Sequence, residues 1–197
     1  MPEKTARRFA GFGVLTLVTL YGSAAAAEEK KSAAPKMSDA KKIALAVSAG
    51  PAEITKNATI IDMTDMSSPK QLRAGMNGWA CYAMVNQPMC LDKEWQKWAE
   101  AWMGKKQLQL SGPGVAYMLR GDTGASNTDP YATAPTADNQ WVVSPAHVML
   151  LYQDPKMLDA YPTDPKSGGP WVMWKGTPYA HVMVPVSPAK AATMPSK

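Results

Sequence analysis

The residues best suited to chemistry are the two histidines, which lie in two copies of one tetrapeptide. Ala146-His147-Val148-Met149 is repeated, letter for letter, as Ala180-His181-Val182-Met183. Each copy is preceded by a proline within two residues and runs into apolar residues, as is typical of a strand that enters a core. Because positions i and i+2 of a strand point to the same face, each histidine is expected to lie beside the methionine of its own copy.

If the two strands are neighbours in a sheet, both copies can meet on one face. The imidazoles of His147 and His181 and the thioethers of Met149 and Met183 would then offer nitrogen and sulfur, the soft donors that suit Cu(I). The sequence therefore predicts a copper site at these four residues. The alternative is that both pairs are core residues, with each imidazole hydrogen-bonded and each methionine filling a gap. Whether the two strands are adjacent decides between the two interpretations.

A second candidate centre is Asp122-Thr123-Gly124-Ala125-Ser126, which resembles the catalytic turn of aspartic proteases. That chemistry needs two carboxylates that share a proton, so a chain with one such tripeptide would have to act as a dimer. Asp-Thr-Gly is also a good turn sequence on its own. A hydrolase that uses one histidine or Asp122 is therefore an alternative to a binding protein.

Cys81 and Cys90 are the only cysteines. Two cysteines close in sequence in an exported protein predict a disulfide bond. On the chain-entropy model, closing so short a loop contributes about 2.5–3 kcal/mol to stability. A thiolate metal site or a redox pair is the alternative, but the spacing is not Cys-x-x-Cys.

Residues 1–27 have the three parts of a secretory signal peptide. Lys4, Arg7 and Arg8 give a positive start, an apolar run follows, and residues 23–27 supply small side chains for cleavage. The protein is therefore expected to be periplasmic or secreted. No later segment is long and apolar enough to cross a bilayer, so no membrane span is expected after signal removal.

The remaining chain has the length of one ordinary domain. Residues 28–50 are predicted to form a tether and a short helix, residues 51–188 a single domain, and residues 189–197 a disordered tail. The net charge of +5 comes from the signal and the tether, since acids and bases nearly balance from Gly50 onwards. No basic stripe is interleaved with aromatic residues, so no nucleic-acid partner is expected. A protein partner or small ligand is not identified by the sequence.

One helix and several short strands are predicted for the domain. The helix spans residues 91–103, with Asp92 as N-cap and an apolar stripe formed by Leu91, Trp95, Trp98 and Trp102. Short apolar runs separated by Gly- and Pro-rich turns predict strands at residues 58–63, 78–82, 115–120, 140–143, 147–152, 171–175 and 180–186. The fold class is therefore α+β, mainly an antiparallel sheet with the Trp-striped helix packed on one face and one disulfide.

Long strings across the domain carry a resemblance to a known family. They are Asn77-Gly78-Trp79, Pro88-Met89-Cys90, Ser126-Asn127-Thr128-Asp129-Pro130 and Trp174-Lys175-Gly176-Thr177-Pro178-Tyr179-Ala180-His181-Val182-Met183. The chain resembles a family of uncharacterised exported bacterial proteins from about residue 58 to residue 186. The resemblance implies a periplasmic or secreted single domain and brings no assigned activity. We therefore expect a non-catalytic binding protein with copper as the candidate ligand. The alternatives are a structural or interaction protein of the cell envelope and a hydrolase.

Overall fold

The structure, a computed structural model, describes residues 37–186. The predicted signal peptide, most of the predicted tether and the predicted C-terminal tail lie outside the described residues. Within residues 37–186, no helix combines the length and the apolar character needed to cross a bilayer.

The domain is built on an eight-stranded, mostly antiparallel sheet with strand order β2-β1-β3-β4-β5-β8-β10-β9. The pair β1 and β3 is parallel, and the other neighbours are antiparallel. A separate two-stranded sheet pairs β6 with β7. The strands are β1 Thr59–Asp62, β2 Lys70–Arg73, β3 Ala80–Ala83, β4 Met89–Leu91, β5 Gly114–Met118, β6 Ala125–Ser126, β7 Trp141–Val142, β8 His147–Leu151, β9 Trp171–Met173 and β10 His181–Pro185.

Few helices accompany the sheet: α1 Asp39–Val47, α2 Ala52–Thr55, α3 Lys93–Met103 and a 3-10 helix Pro155–Ala160. In α3, the Asp92 carboxylate accepts a hydrogen bond from the Trp95 backbone N–H at 2.9 Å, which is the predicted N-cap. Leu91 lies in β4 and therefore precedes the helix. Trp95 and Trp98 are buried, whereas Trp102 is half-buried.

Residues 71–90 contain more regular structure than their sequence indicates. One short strand was expected there, but β2 and β4 flank it in sequence. Both are only three or four residues long, and β2, at the sheet edge, begins with two exposed polar residues. Segments as short as β2 and β4 show no clear apolar alternation in the sequence. Their hydrogen bonding to a neighbouring strand is what identifies them as strands.

The two faces of the sheet pack against different elements. On one face, which we call the His–Met face, α3 covers a core that includes Met118, Met149, Met173 and Met183. On the other, which we call the alanine–cystine face, Ala46 of α1 packs in a cluster with Ala49, Ala58, Ile60, Cys81, Ala83 and Cys90. The two sets lie mainly on different strands, and in β4 the neighbouring residues Cys90 and Leu91 alternate between them.

The predicted disulfide between Cys81 and Cys90 is confirmed. The two residues lie directly opposite each other in the antiparallel pair β3 and β4. Their Cα atoms are 4.0 Å apart and the sulfurs are bonded. Because the half-cystines are fully buried under α1, this bond is part of the core.

Candidate functional site

The two copies of Ala-His-Val-Met lie on adjacent antiparallel strands, β8 and β10. Their register places Met149 directly opposite Met183. Since residues two apart on a strand share a face, His147 lies on the face of Met149, and His181 lies on the face of Met183. All four sequence-predicted residues therefore line the His–Met face, and all four are buried.

The register also places the two histidines at opposite ends of the methionine pair. His147 lies across from Pro185, the last residue of β10, whereas His181 is the first residue of β10, four residues before Pro185. Four residues of antiparallel strand span about 13 Å. Two imidazoles that ligate one ion need nitrogens roughly 4 Å apart, twice a metal–nitrogen bond. The sequence leads us to expect that both imidazoles meet, but the backbone brings together the methionines instead.

Each imidazole is oriented by the carbonyl of the residue two positions before it. Nδ1 of His147 is 2.7 Å from the Pro145 carbonyl oxygen, and Nδ1 of His181 is 2.9 Å from that of Tyr179. A carbonyl oxygen can only accept, so Nδ1 carries the proton in both rings and Nε2 carries the lone pair. Among the described residues, Nε2 of His147 is buried and has no hydrogen-bond partner.

Burial keeps both histidines uncharged at neutral pH. It lowers the pKa of His147, and it lowers the pKa of His181 to about 4, although the backbone hydrogen bonds act in the opposite direction. His147 is also close enough for its charge to lower the pKa of His181. Because the neutral imidazole is the form that binds metal ions, no proton has to leave before a metal can bind at pH 7.

Two further methionines lie across from the histidines on the flanking strands. Met118 of β5 is the register partner of His147, and Met173 of β9 is the register partner of His181. Both are buried. The copper site predicted from the sequence includes neither of these methionines. The only available signal was their place in apolar runs, which does not reveal which strands become neighbours.

An open cavity of about 800 Å³ lies between the His–Met face and α3. Both histidines line it, together with tryptophans of α3 and the Trp174 side chain. The thioether groups in its wall belong to Met63, Met66, Met84, Met89, Met103, Met118, Met149, Met173 and Met183. The wall is thus rich in sulfur and indole.

The His181 ring is enclosed by three indoles. Its centroid is 5.2 Å from that of Trp95, 5.6 Å from Trp98 and 5.1 Å from Trp174, in edge-to-face arrangements. Trp98 and Trp174 are stacked on each other at 5.6 Å with an interplanar angle of 8°. These contacts restrict the rotation of the imidazole and keep water from most of its surface.

Trp174 is held in a strained backbone conformation. The sequence predicts a strand through residue 175, but β9 ends at Met173 and Trp174 has φ +58°. A left-handed conformation at so bulky a residue costs roughly 1–3 kcal/mol and requires support from its surroundings. The support comes from β6 and the residue after it. The Trp174 indole N–H donates to the Ser126 carbonyl at 2.6 Å, and its backbone N–H donates to the Asn127 carbonyl at 2.9 Å.

Asp122 also lines the cavity, but its carboxylate is engaged in a turn. One oxygen accepts hydrogen bonds from the backbone N–H groups of Gly124 at 2.9 Å and Ser144 at 3.0 Å. Within residues 37–186, the hydrogen bonds do not form a carboxylate–imidazole–hydroxyl chain, since each histidine Nδ1 faces a carbonyl.

Hard metal centres are also absent from the described part of the chain. Among residues 37–186, no three His, Cys, Asp or Glu side chains gather in a group that could hold a metal ion. Both cysteines are bonded to each other and offer no thiolate. The His–Met face instead presents imidazole nitrogen and thioether sulfur to one cavity.

Comparisons with protein-family models, with curated proteins and with solved structures found no match.

Proposed function

We propose that this is an exported protein that binds Cu(I) in the cavity on the His–Met face, with His147, Met149, His181 and Met183 as ligands. The observation that carries the proposal is the lone pair on Nε2 of His147. Among the described residues it is buried without a hydrogen-bond partner, in a wall rich in thioethers and indoles. A buried acceptor without a hydrogen-bond partner lowers the stability of the fold. A ligand bound to this nitrogen would remove that cost.

The donor set favours Cu(I) over the commoner biological metals. Zinc in structural sites takes thiolates, imidazoles and carboxylates, and calcium and magnesium take oxygen. Thioether sulfur is a soft donor and selects Cu(I). The indole faces add an electrostatic attraction for a cation in the cavity.

Export is supported by the sequence rather than by the described residues. The signal peptide pattern at residues 1–27 and the resemblance to exported bacterial proteins both point to the periplasm or the outside of the cell. The disulfide between Cys81 and Cys90 is weak, indirect support, since such bonds persist in oxidising compartments.

The test is an anaerobic titration of the mature, disulfide-bonded protein with Cu(I) in competition with a chromophoric Cu(I) chelator. The wild-type protein is expected to take copper from the chelator. The double variant Met149→Leu/Met183→Leu keeps the size and apolar character of the side chains but removes both sulfurs. Its affinity should fall by more than the roughly 10–100-fold that loss of an outer-shell partner costs.

Met76→Leu and Met157→Leu are the matched controls, because both residues are exposed and neither lines the cavity. Equal affinity in the double variant and the controls would refute the copper proposal. The histidines and methionines would then be core packing in a structural or interaction domain of the cell envelope.

A small organic molecule is a second candidate ligand, favoured by the cavity volume of about 800 Å³. Ligand pockets typically have volumes of roughly 300–1,000 Å³. The Trp95 indole N–H is buried without a hydrogen-bond partner among the described residues and would pair with an acceptor on such a molecule. Native mass spectrometry of the protein purified without added metal tests this, because a bound organic ligand adds a defined mass.

A further inference from the structure

The repeated tetrapeptide forms a locally two-fold symmetric arrangement. Antiparallel pairing with Met149 opposite Met183 relates one copy to the other by a local two-fold axis through that pair. The histidine orientation obeys the same symmetry, since both Nδ1 atoms bond to the carbonyl two residues earlier. The indoles around His181 do not follow this symmetry, but the flanking strands do place one methionine directly opposite each histidine.

The first half consists of His147 and two thioethers. Met149 follows it by two residues on the same face of β8, and Met118 lies directly across from it on β5. All three side chains are buried, and all three line the cavity. We call these residues the first trio.

The second half repeats this pattern with different strands. Met183 follows His181 by two residues on β10, and Met173 lies directly across from His181 on β9. These three residues, the second trio, are also buried and also line the cavity. Each trio thus offers one imidazole nitrogen and two thioether sulfurs, and no donor belongs to both.

We infer that the cavity binds two Cu(I) ions, one at each trio, with Met118 and Met173 as ligands that the repeat itself does not contain. This inference rests on the proposed function. It adds the number of copper ions bound per chain and two further ligand residues. The register supports two ions because it separates the histidines along the sheet by about 13 Å while it leaves each beside two methionines. Soft nitrogen-and-sulfur sets of this kind suit Cu(I).

The charge of two ions fits the surroundings poorly unless each is well coordinated, because the face is apolar and buried. The thioethers and imidazoles are neutral, so occupancy depends mainly on donor number, and the Asp122 carboxylate near His147 adds negative charge beside the first trio alone of the two. Losing one of three donors should therefore abolish retention of that ion against a competing chelator. The two sites should fail independently, since they share no ligand.

The experiment is the same anaerobic competition, now scored by stoichiometry, with Met118→Leu, Met173→Leu and the control Met157→Leu. The wild-type and control proteins should each retain two ions per chain, and each of the other two variants should retain one. X-ray absorption of the fully loaded wild-type protein should give an average shell of one nitrogen and two sulfurs per copper. Thermal unfolding of the metal-free variants verifies that each has folded.

The outcomes separate the inference from the proposal it rests on. No retained copper in the wild-type protein refutes the proposed function itself. One retained ion in the wild-type protein leaves copper binding intact and overturns the two-ion inference. Two ions that persist in Met118→Leu or in Met173→Leu overturn the assignment of that methionine, and with it the trio. A sulfur count below two per copper overturns the trios as well.

Discussion

The two faces of the sheet differ in their packing: the alanine–cystine face is formed mainly by β1, β3 and β4, and the His–Met face mainly by β5, β8, β9 and β10. On the alanine–cystine face, small side chains and the disulfide let α1 approach closely. Gly50 also lies close to the disulfide, since a Cβ atom at this position would be only 3.1 Å from the Cys90 sulfur. On the His–Met face, long flexible methionines and indoles leave a cavity of about 800 Å³.

The polar atoms differ in the same way. On the alanine–cystine side, the buried Asp62 carboxylate is paired with Lys42 at 2.5 Å and accepts from Thr64. The cavity wall, by contrast, contains an unpaired acceptor on His147 and an unpaired donor on Trp95, counting partners among the described residues. Among the described residues, the charged group of one face is paired within the fold, whereas the other face leaves a buried acceptor and a buried donor unpaired.

Truncation of Ile60 tests the stabilising role of the alanine–cystine face with the largest expected effect. Ile60 is fully buried beside the disulfide. Ile60→Ala should lower the free energy of unfolding by about 2–5 kcal/mol, since it removes apolar contacts and leaves a cavity in a closely packed region. Urea denaturation measures this effect, and Cu(I) stoichiometry should not change. Altered stoichiometry in the folded variant would contradict the separation of the two faces.

Removal of the disulfide tests the same face through the unfolded state. Cys81→Ala/Cys90→Ala should lower the free energy of unfolding by about 2.5–3 kcal/mol, because the unfolded chain has more conformational entropy without the cross-link. The m-value of urea unfolding should change with it, while copper retention should persist at temperatures where the variant is folded. A variant of unchanged stability would show that the bond contributes no net free energy.

Acid should weaken the two faces in different pH ranges. The folded pKa of His181 is about 4 and its unfolded value about 6.5, so the unfolded chain binds the proton more strongly. About 3 kcal/mol of stability is therefore present above pH 6.5 and is lost as the pH falls to 4.

Burial would raise the pKa of Asp62, but hydrogen bonds to Lys42 and Thr64 outweigh it and hold the value at about 2. This group contributes about 2 kcal/mol, which is lost only as the pH falls from about 4 to 2. Urea denaturation across this pH range measures both. His181→Gln should reduce the loss of stability in the upper range, where His147 still contributes, and leave the lower range unchanged. An unchanged upper range would contradict the contribution of His181.

Replacement of a single cavity methionine should have the smallest effect on stability. Met149→Leu conserves volume and should cost less than about 1.5 kcal/mol. If the His–Met face serves ligand binding, the same variant should show a large loss of Cu(I) affinity in the chelator competition. A large loss of stability with unchanged affinity would indicate that this face, too, is core packing.

Much of the local structure followed from the sequence. The i, i+2 spacing placed each histidine beside its methionine, Asp92 was identified as the N-cap of α3, and the two cysteines predicted their disulfide. The first two features depend on residues close to one another in the chain. The disulfide could be predicted because the sequence contains only two cysteines. Local periodicity and cap chemistry are therefore sufficient to determine them.

Tertiary structure alone decided the arrangement of the candidate site. The sequence repeats Ala-His-Val-Met, but only the antiparallel register of β8 and β10 sets Met149 against Met183 and separates His147 from His181. Met118 and Met173 join the site because β5 and β9 flank that pair, and Trp174 is strained because β6 holds it. Which distant segments pair as strands depends on how the whole core packs. No local pattern encodes which segments become neighbours.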